Sequence, residues 1–392
     1  MHQKGYVPPT SRPQRTEPSL GCRNCFLFSQ CGGTYAPGVF DCLAFCCNKP
    51  STCTFVCPKS DRFVEVVRDS GGLALNQKWD IRQRDTGLPY YLPCIQHGSS
   101  RMRGLNFPLV VVPTCEVTRR RETACETPAQ LRTAFKLRRD ARVILATIDE
   151  DRELENFWHV KTVRSLAERL AGLDIEHIIA PNFSLPLEIP RFDNIANIRR
   201  SLLCAEEFSK AGMSVIPYVA GVTEHDWNFW EGFLREHTEI KLVAKEFQTG
   251  ASNNQVARWH IGQLLRLQDG IKRGLHIVAV GGRRHLKNLT EFSGITVMDS
   301  NPFMKTCHRF LLTDSGVWEN HPTVPKAPLD QLLLRNIVRY GEIVNADILK
   351  AKEVSTKKAS ARVSVRDSAD IDRSSGKIGD ARDGVVERRH SI

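Results

Sequence analysis

The chain reads as an α/β protein built on a TIM-type (β/α)8 barrel, and three observations carry that reading. Short, almost continuously apolar runs recur at 108–112, 143–148, 177–180, 214–219, 241–245, 276–280 and 295–298. Amphipathic stretches at 155–171, 194–211, 226–237 and 255–273 fall between them. In the last of these, Val256, Ile261, Leu264, Leu265 and Leu267 form a stripe at helical spacing. Strands that are apolar on both faces and alternate with helices make parallel sheets buried on both sides. Seven or eight such units, in a chain of 392 residues, suit a closed barrel better than an open sheet. The glycine-rich turn expected after the first strand of a dinucleotide-binding open sheet is missing.

Composition narrows the class. Hydrophobic residues make up 41% and charged residues 25%, ordinary for a soluble protein. No apolar run approaches the roughly 20 residues needed to cross a bilayer, so no membrane partner is expected. The first 20 residues lack the hydrophobic centre of a secretory signal, which predicts a cytoplasmic, reducing setting. An excess of 55 Lys plus Arg over 44 Asp plus Glu is compatible with a phosphate-rich partner.

The chain divides into four regions. Residues 1–20 read as a disordered arm, and residues 346–392, polar and charge-mixed, as a disordered tail. Residues 61–345 form the barrel domain. Residues 21–60 hold Cys22, Cys25, Cys31, Cys42, Cys46, Cys47, Cys53 and Cys57. A segment so short of large apolar groups needs a staple, and in a reducing compartment metal is expected rather than disulfide. The two-residue spacing of Cys22 and Cys25 suits one metal gripped from a tight turn. Zinc and an iron–sulfur cluster both remain open as the cofactor.

In a barrel the chemistry sits where strands end. The expected tips carry Asp149, then Asn182, then Tyr218-Val219-Ala220-Gly221, then Gln248, then Gly281-Gly282, and finally Asp299-Ser300. Carboxylates and amides can pair with the Watson–Crick edge of a purine, while glycines let the backbone approach its face. Asp299 stands apart, because a charge at the end of a buried strand needs compensating partners. Capping the next helix is its alternative role.

The order strand, Gly281-Gly282, helix, Gly294, strand, Asp299-Ser300 resembles the end of the barrel in the tRNA-guanine transglycosylase superfamily, and the likeness of the tips spans residues 140–318. The resemblance implies that Asp299 is the nucleophile that displaces guanine from its sugar. It makes Asp149 the reader of the guanine edge, with Asn182, Gln248, Gly281, Gly282 and Ser300 completing the base site. The family's second aspartate, a general acid/base in an Asp-Ser-Gly-Gly context, has two candidates. Asp69-Ser70-Gly71-Gly72 matches in letters, and Asp85-Thr86-Gly87 lies nearer the barrel.

Departures from the family pattern set the branch. No glutamine stands at the Tyr218 tip, where the family has Val-Gln-Gly, which leaves Gln248 as the substitute. Only Cys307 and His308 stand where tRNA enzymes build a zinc site, and Asn301-Pro302-Phe303-Met304 replaces Pro-Thr-Arg. With the Leu275-His276 entry and the Asp-Ser ending, these resemble more the branch that inserts 7-deazaguanine bases into DNA, with tRNA as the alternative substrate. The implied partners are DNA or tRNA, a 7-deazaguanine base and a DNA-opening protein such as an ATPase. Arg283, Arg284, His285 and Lys287 are expected either to hold phosphates or to form a solvated helix start.

Two other classes compete: a metal-dependent or radical enzyme, and a nucleic-acid-binding protein whose degenerate barrel is scaffold. His97, His159, His225, His260 and His321 are scattered singly, which argues for structural or exposed roles. Trp158, Trp227, Trp230 and Trp259 sit in helical segments at core-like spacing and are expected to pack.

Overall fold

A computed structural model describes residues 60–118, 125–161, 165–186, 191–248, 254–321 and 327–374. Within them eight parallel strands follow in chain order: β1 (Tyr91–Pro93), β2 (Leu109–Pro113), β3 (Arg142–Ala146), β4 (His177–Ile179), β5 (Val215–Ile216), β6 (Leu242–Glu246), β7 (His276–Val280) and β8 (Gly294–Asp299). A hairpin, β9 (Phe310–Leu312) and β10 (Trp318–Asn320), comes after them. The helices are α1 (Ser60–Asp69), α2 (Thr114–Thr118), α3 (Pro128–Ala134), α4 (Asp151–Lys161), α5 (Leu166–Ala171), α6 (Arg191–Lys210), α7 (Glu224–Glu236), α8 (Asn254–Ile271), α9 (Leu286–Leu289), α10 (Asn301–Cys307) and α11 (Asp330–Ser374).

The strands form two four-stranded parallel sheets, ordered β1-β8-β7-β6 and β2-β3-β4-β5. Short parallel pairing joins them at both edges. Cys94, just past β1, bridges to Val111, and the Ile95 N–H donates to Val111 O at 2.8 Å. Tyr218 bridges to Ala244, and the Val219 N–H donates to Ala244 O at 3.0 Å. The strands are buried nearly throughout because helices cover them, as expected of parallel sheets.

Residues 80–89 run beneath the N-terminal ends of the strands. Gln83 Nε2 donates to Val215 O and Leu242 O, both at 2.9 Å, while its Oε1 accepts from the N–H groups of Lys241 and Leu242. Thr86 bonds to His177 Nε2, whose Nδ1 lies 2.8 Å from Ser214 Oγ. One strap therefore ties β4, β5 and β6 together. Helix α7 is anchored by Asp226, which accepts from the N–H groups of Val222 and Thr223 and from the buried Arg191 guanidinium at 2.6 Å.

Three sequence expectations need correction. The stretch 155–171 is two helices, α4 and α5, not one. β1 was not anticipated, because three residues ending in proline carry no strand-length apolar run. The barrel domain was expected to end at 345, with a disordered tail beyond it. Instead α11 continues, because Leu333, Ile337, Tyr340, Val344 and Ile348 form one buried stripe that carries the helix past that boundary. The tryptophans behave as expected: Trp158, Trp227 and Trp230 are buried, and Trp259 stacks edge-on against Trp227.

Candidate active site

Asp299 ends β8. Pro93 is its register partner, as Tyr91 is that of Val297, so Asp299 lies on the sheet face that carries Tyr91 and is covered by α11. Its carboxylate is half-buried and doubly held. Oδ2 accepts from the Tyr340 hydroxyl at 2.6 Å, and Oδ1 accepts from the Asn301 N–H at 2.8 Å. Burial raises its pKa above the usual carboxylate value, opposed by the Tyr340 and Asn301 hydrogen bonds and by the Arg283 charge. The bond to the Asn301 N–H, at the first residue of α10, is the cap-like contact expected for this residue.

Asp299 opens into a cleft of about 710 Å³, lined also by Phe247, Gln248, Gly281, Gly282, Arg284 and Ser300. That volume is in the range of small-molecule sites. Gly281 and Gly282 have φ of +71° and +77°, a left-handed pair that turns the chain out of β7. A side chain at Gly281 would press on Gln248, whose Cγ lies 2.5 Å from the position its Cβ would take. Arg284 is exposed at the rim and makes no ion pair among the described residues.

Asp149 and Asn182 hold each other rather than lining this cleft. Asn182 Oδ1 accepts from the Asp149 N–H at 3.2 Å, and Asp149 Oδ1 accepts from the Glu150 N–H at the start of α4. Both aspartates nevertheless act on Cys94. Burial pushes that thiol up to about 12, and the charges of Asp299 and then Asp149 add to the effect. The two carboxylates thus stand at the same end of the strands, on different sheets.

Neither candidate for the second aspartate joins them. Asp69 ends α1 and accepts from Trp158 Nε1 at 2.7 Å. Its Ser70-Gly71-Gly72 sequel is a helix terminus, with φ of +62° and +112° at the glycines and the Arg199 guanidinium on Ser70 O. The motif therefore arises from helix termination. Asp85 sits on the strap beneath the strands and pairs with Lys241, the residue before β6, so it occupies the opposite end from Asp299. The eight cysteines from Cys22 to Cys57 lie outside the described residues. Among the described residues no cluster of His, Cys, Asp or Glu is placed to hold a metal.

Sequence reasoning missed three groups. Tyr340 and Asp347 come from α11; Asp347 pairs with Arg283 at 2.9 Å, and Arg283 lies 5.4 Å over the Tyr340 ring. A polar-tipped aromatic within an apolar helical stripe was the available signal. Lys245, buried in β6 with Nζ 5.4 Å from the Tyr218 ring centre, is brought down to about 8 by burial, against the pull of Glu246.

No protein-family model matches the chain, and no curated protein does. Among the described residues no helix is long and apolar enough to cross a membrane.

Proposed function

We propose that the eight strands close into a (β/α)8 barrel and that the chain is a nucleic-acid base transglycosylase. It exchanges guanine for a 7-deazaguanine derivative, with DNA favoured over tRNA. The parallel pairing at both sheet edges supports closure. The observation that carries the function is Asp299: one desolvated carboxylate at a strand tip, clamped by two donors, facing a cleft walled by Gly281 and Gly282.

The reaction follows from that geometry. An Asp299 oxygen bonds to the anomeric carbon as the carbon–nitrogen bond to guanine breaks, and its electron pair leaves with the base. The charge on the sugar ring at the transition state favours a carboxylate beside it. The incoming base attacks the same carbon and releases the carboxylate, and the ring-nitrogen proton it loses balances the one that the departing guanine takes up. The target must leave its stack, which costs a few kcal/mol in a duplex and favours a partner that opens it. Eight thiols are soft donors that suit zinc or an iron–sulfur cluster, and such a group would stabilise the N-terminal segment. A cytoplasmic setting would keep those thiols reduced and available to the metal.

Asp299→Asn should abolish exchange of labelled guanine and the trappable protein–nucleic acid adduct, while leaving the fold intact. Asp149 stands outside this cleft but at the same end of the strands, and guanine reading is assigned to it there: Asp149→Asn should weaken discrimination for guanine, since an amide offers a donor where the guanine edge requires an acceptor. Full exchange by Asp299→Asn would refute the reading. A second reading, a nucleic-acid-binding protein on a barrel scaffold, draws support from the distance of Asp69 and Asp85 from the cleft. Nucleic-acid binding by the native chain without exchange or adduct would favour it.

A further inference from the structure

Helix α11 does more at the cleft than cover it. Tyr340 and Asp347 lie seven residues apart, two helical turns on one face, and each reaches a cleft residue. Tyr340 donates to Asp299 at 2.6 Å, and Asp347 holds Arg283 at 2.9 Å. Arg283 in turn lies over the Tyr340 ring. The phenol is fixed from the other side by Tyr91, whose ring centre is 5.3 Å away, and Gly341 leaves room for that ring. The Tyr91 hydroxyl is buried, without a hydrogen-bond partner among the described residues. A buried carboxylate needs such partners in any role, and one that gives up and regains its charge during a reaction needs them in place throughout.

We propose that Tyr340 is a positioning residue of the base-exchange reaction, its hydroxyl holding the Asp299 carboxylate aimed at the sugar and receiving its charge when the aspartyl–sugar ester breaks. The inference rests on the transglycosylase reading. In the first step the Asp299 charge is spent as its oxygen bonds to the anomeric carbon and guanine departs with the electron pair. In the second step the carbon–oxygen bond breaks and the pair returns to Asp299. Donors already in place for that returning charge need no reorganisation. Tyr340 and the Asn301 N–H are those donors, so losing the phenol slows ester breakdown more than ester formation.

The groups facing Asp299 set the sign of the pH effect. Tyr340 and Asp347 face it from α11, Tyr91 from β1 and Cys94 from just past it, and Arg283 and Arg284 from the turn after β7, while Asp149, on the neighbouring sheet, acts on Cys94 and not on Asp299 itself. Among them the Tyr340 hydrogen bond is the strongest influence that keeps Asp299 ionised. Without it the Asp299 pKa rises further, and the acid limb of activity moves to higher pH.

Tyr340→Phe keeps the ring between Tyr91 and Arg283, so the full-length variant should fold. Guanine exchange should fall roughly 10- to 100-fold at neutral pH, the loss of one hydrogen bond to a charged group. It should recover in part at alkaline pH, and a larger fraction of protein should be trapped as the adduct. A second readout needs no activity: carbodiimide labels protonated carboxyls, and mass spectrometry of labelled Asp299 against pH gives its titration directly. The labelling midpoint should rise in Tyr340→Phe, and less so in Arg283→Gln. An unchanged midpoint in folded Tyr340→Phe would overturn the proposal, as would reduced exchange with an unmoved acid limb. If the midpoint shifts but the native chain shows neither exchange nor adduct, the transglycosylase reading falls and the reaction role falls with it, leaving the Tyr340–Asp299 coupling as structure alone.

Discussion

Gly281→Ala tests whether the cleft wall is built as described. Two separate costs arise at this position. The first is backbone: φ of +71° lies in the left-handed region, where a Cβ costs about 1–2 kcal/mol. The second is crowding. The new Cβ would stand 2.5 Å from Gln248 Cγ, closer than real contacts allow, and a tight 3.2 Å from its Cδ and Nε2. Overpacking of this kind costs about 1–3 kcal/mol unless the neighbour moves. The sum is roughly 2–5 kcal/mol, and only the second part depends on Gln248. A double-mutant cycle separates them. Urea unfolding of Gly281→Ala, Gln248→Ala and the pair should show that truncating Gln248 recovers about 1 kcal/mol or more, while the backbone cost persists. Guanine exchange should stay depressed in the double variant, because Gln248 no longer faces the cleft. Additive stabilities within about 0.3 kcal/mol would show that Gln248 does not lie on Gly281, and the described wall would be wrong.

Other outcomes can be stated briefly. His177 is buried between Thr86 and Ser214, and burial, then Arg84 and Arg142, bring it down to about 4. Between pH 6.5 and 4 the unfolded chain binds a proton that the native state refuses, so stability is full above this window and falls as pH drops through it. The loss should approach about 3 kcal/mol, and urea midpoints at pH 7.5 and 4.5 should show a shallower fall in His177→Gln. Asp226→Ala strands Arg191 in the core and should cost about 3–5 kcal/mol by thermal or urea unfolding; a loss below 1 kcal/mol would mean that water reaches the pair. Elemental analysis and absorption spectroscopy of anaerobically purified protein should find zinc or iron with sulfide, lost on replacing Cys22 and Cys25 by Ser. Disulfide-paired cysteines without metal would remove the staple argument.

Periodicity alone located most of the sheet. The seven apolar runs correspond to β2 through β8, within a residue or two except that the run at 214–219 outlasts β5 by three, because buried parallel strands must be apolar on both faces and show it locally. Asp299 and the Gly281-Gly282 turn were legible for the same reason: a charge or a glycine pair directly after such a run marks a strand end. What local pattern could not convey was which groups meet. Asp69-Ser70-Gly71-Gly72 has the letters of a catalytic segment, yet it terminates α1, and Asp85 faces Lys241 at the opposite end. Tyr340 stands 41 residues from Asp299 and reaches it only because the stripe from Leu333 to Ile348 seats α11 on β1 and β8. Sequence by itself determined the alternation, the strand ends and the candidate nucleophile, since burial imposes these on neighbouring residues. The partners of Asp299, and the exclusion of Asp69 and Asp85, were decided by tertiary structure alone, since hydrogen bonds between distant segments leave no periodic trace in the chain.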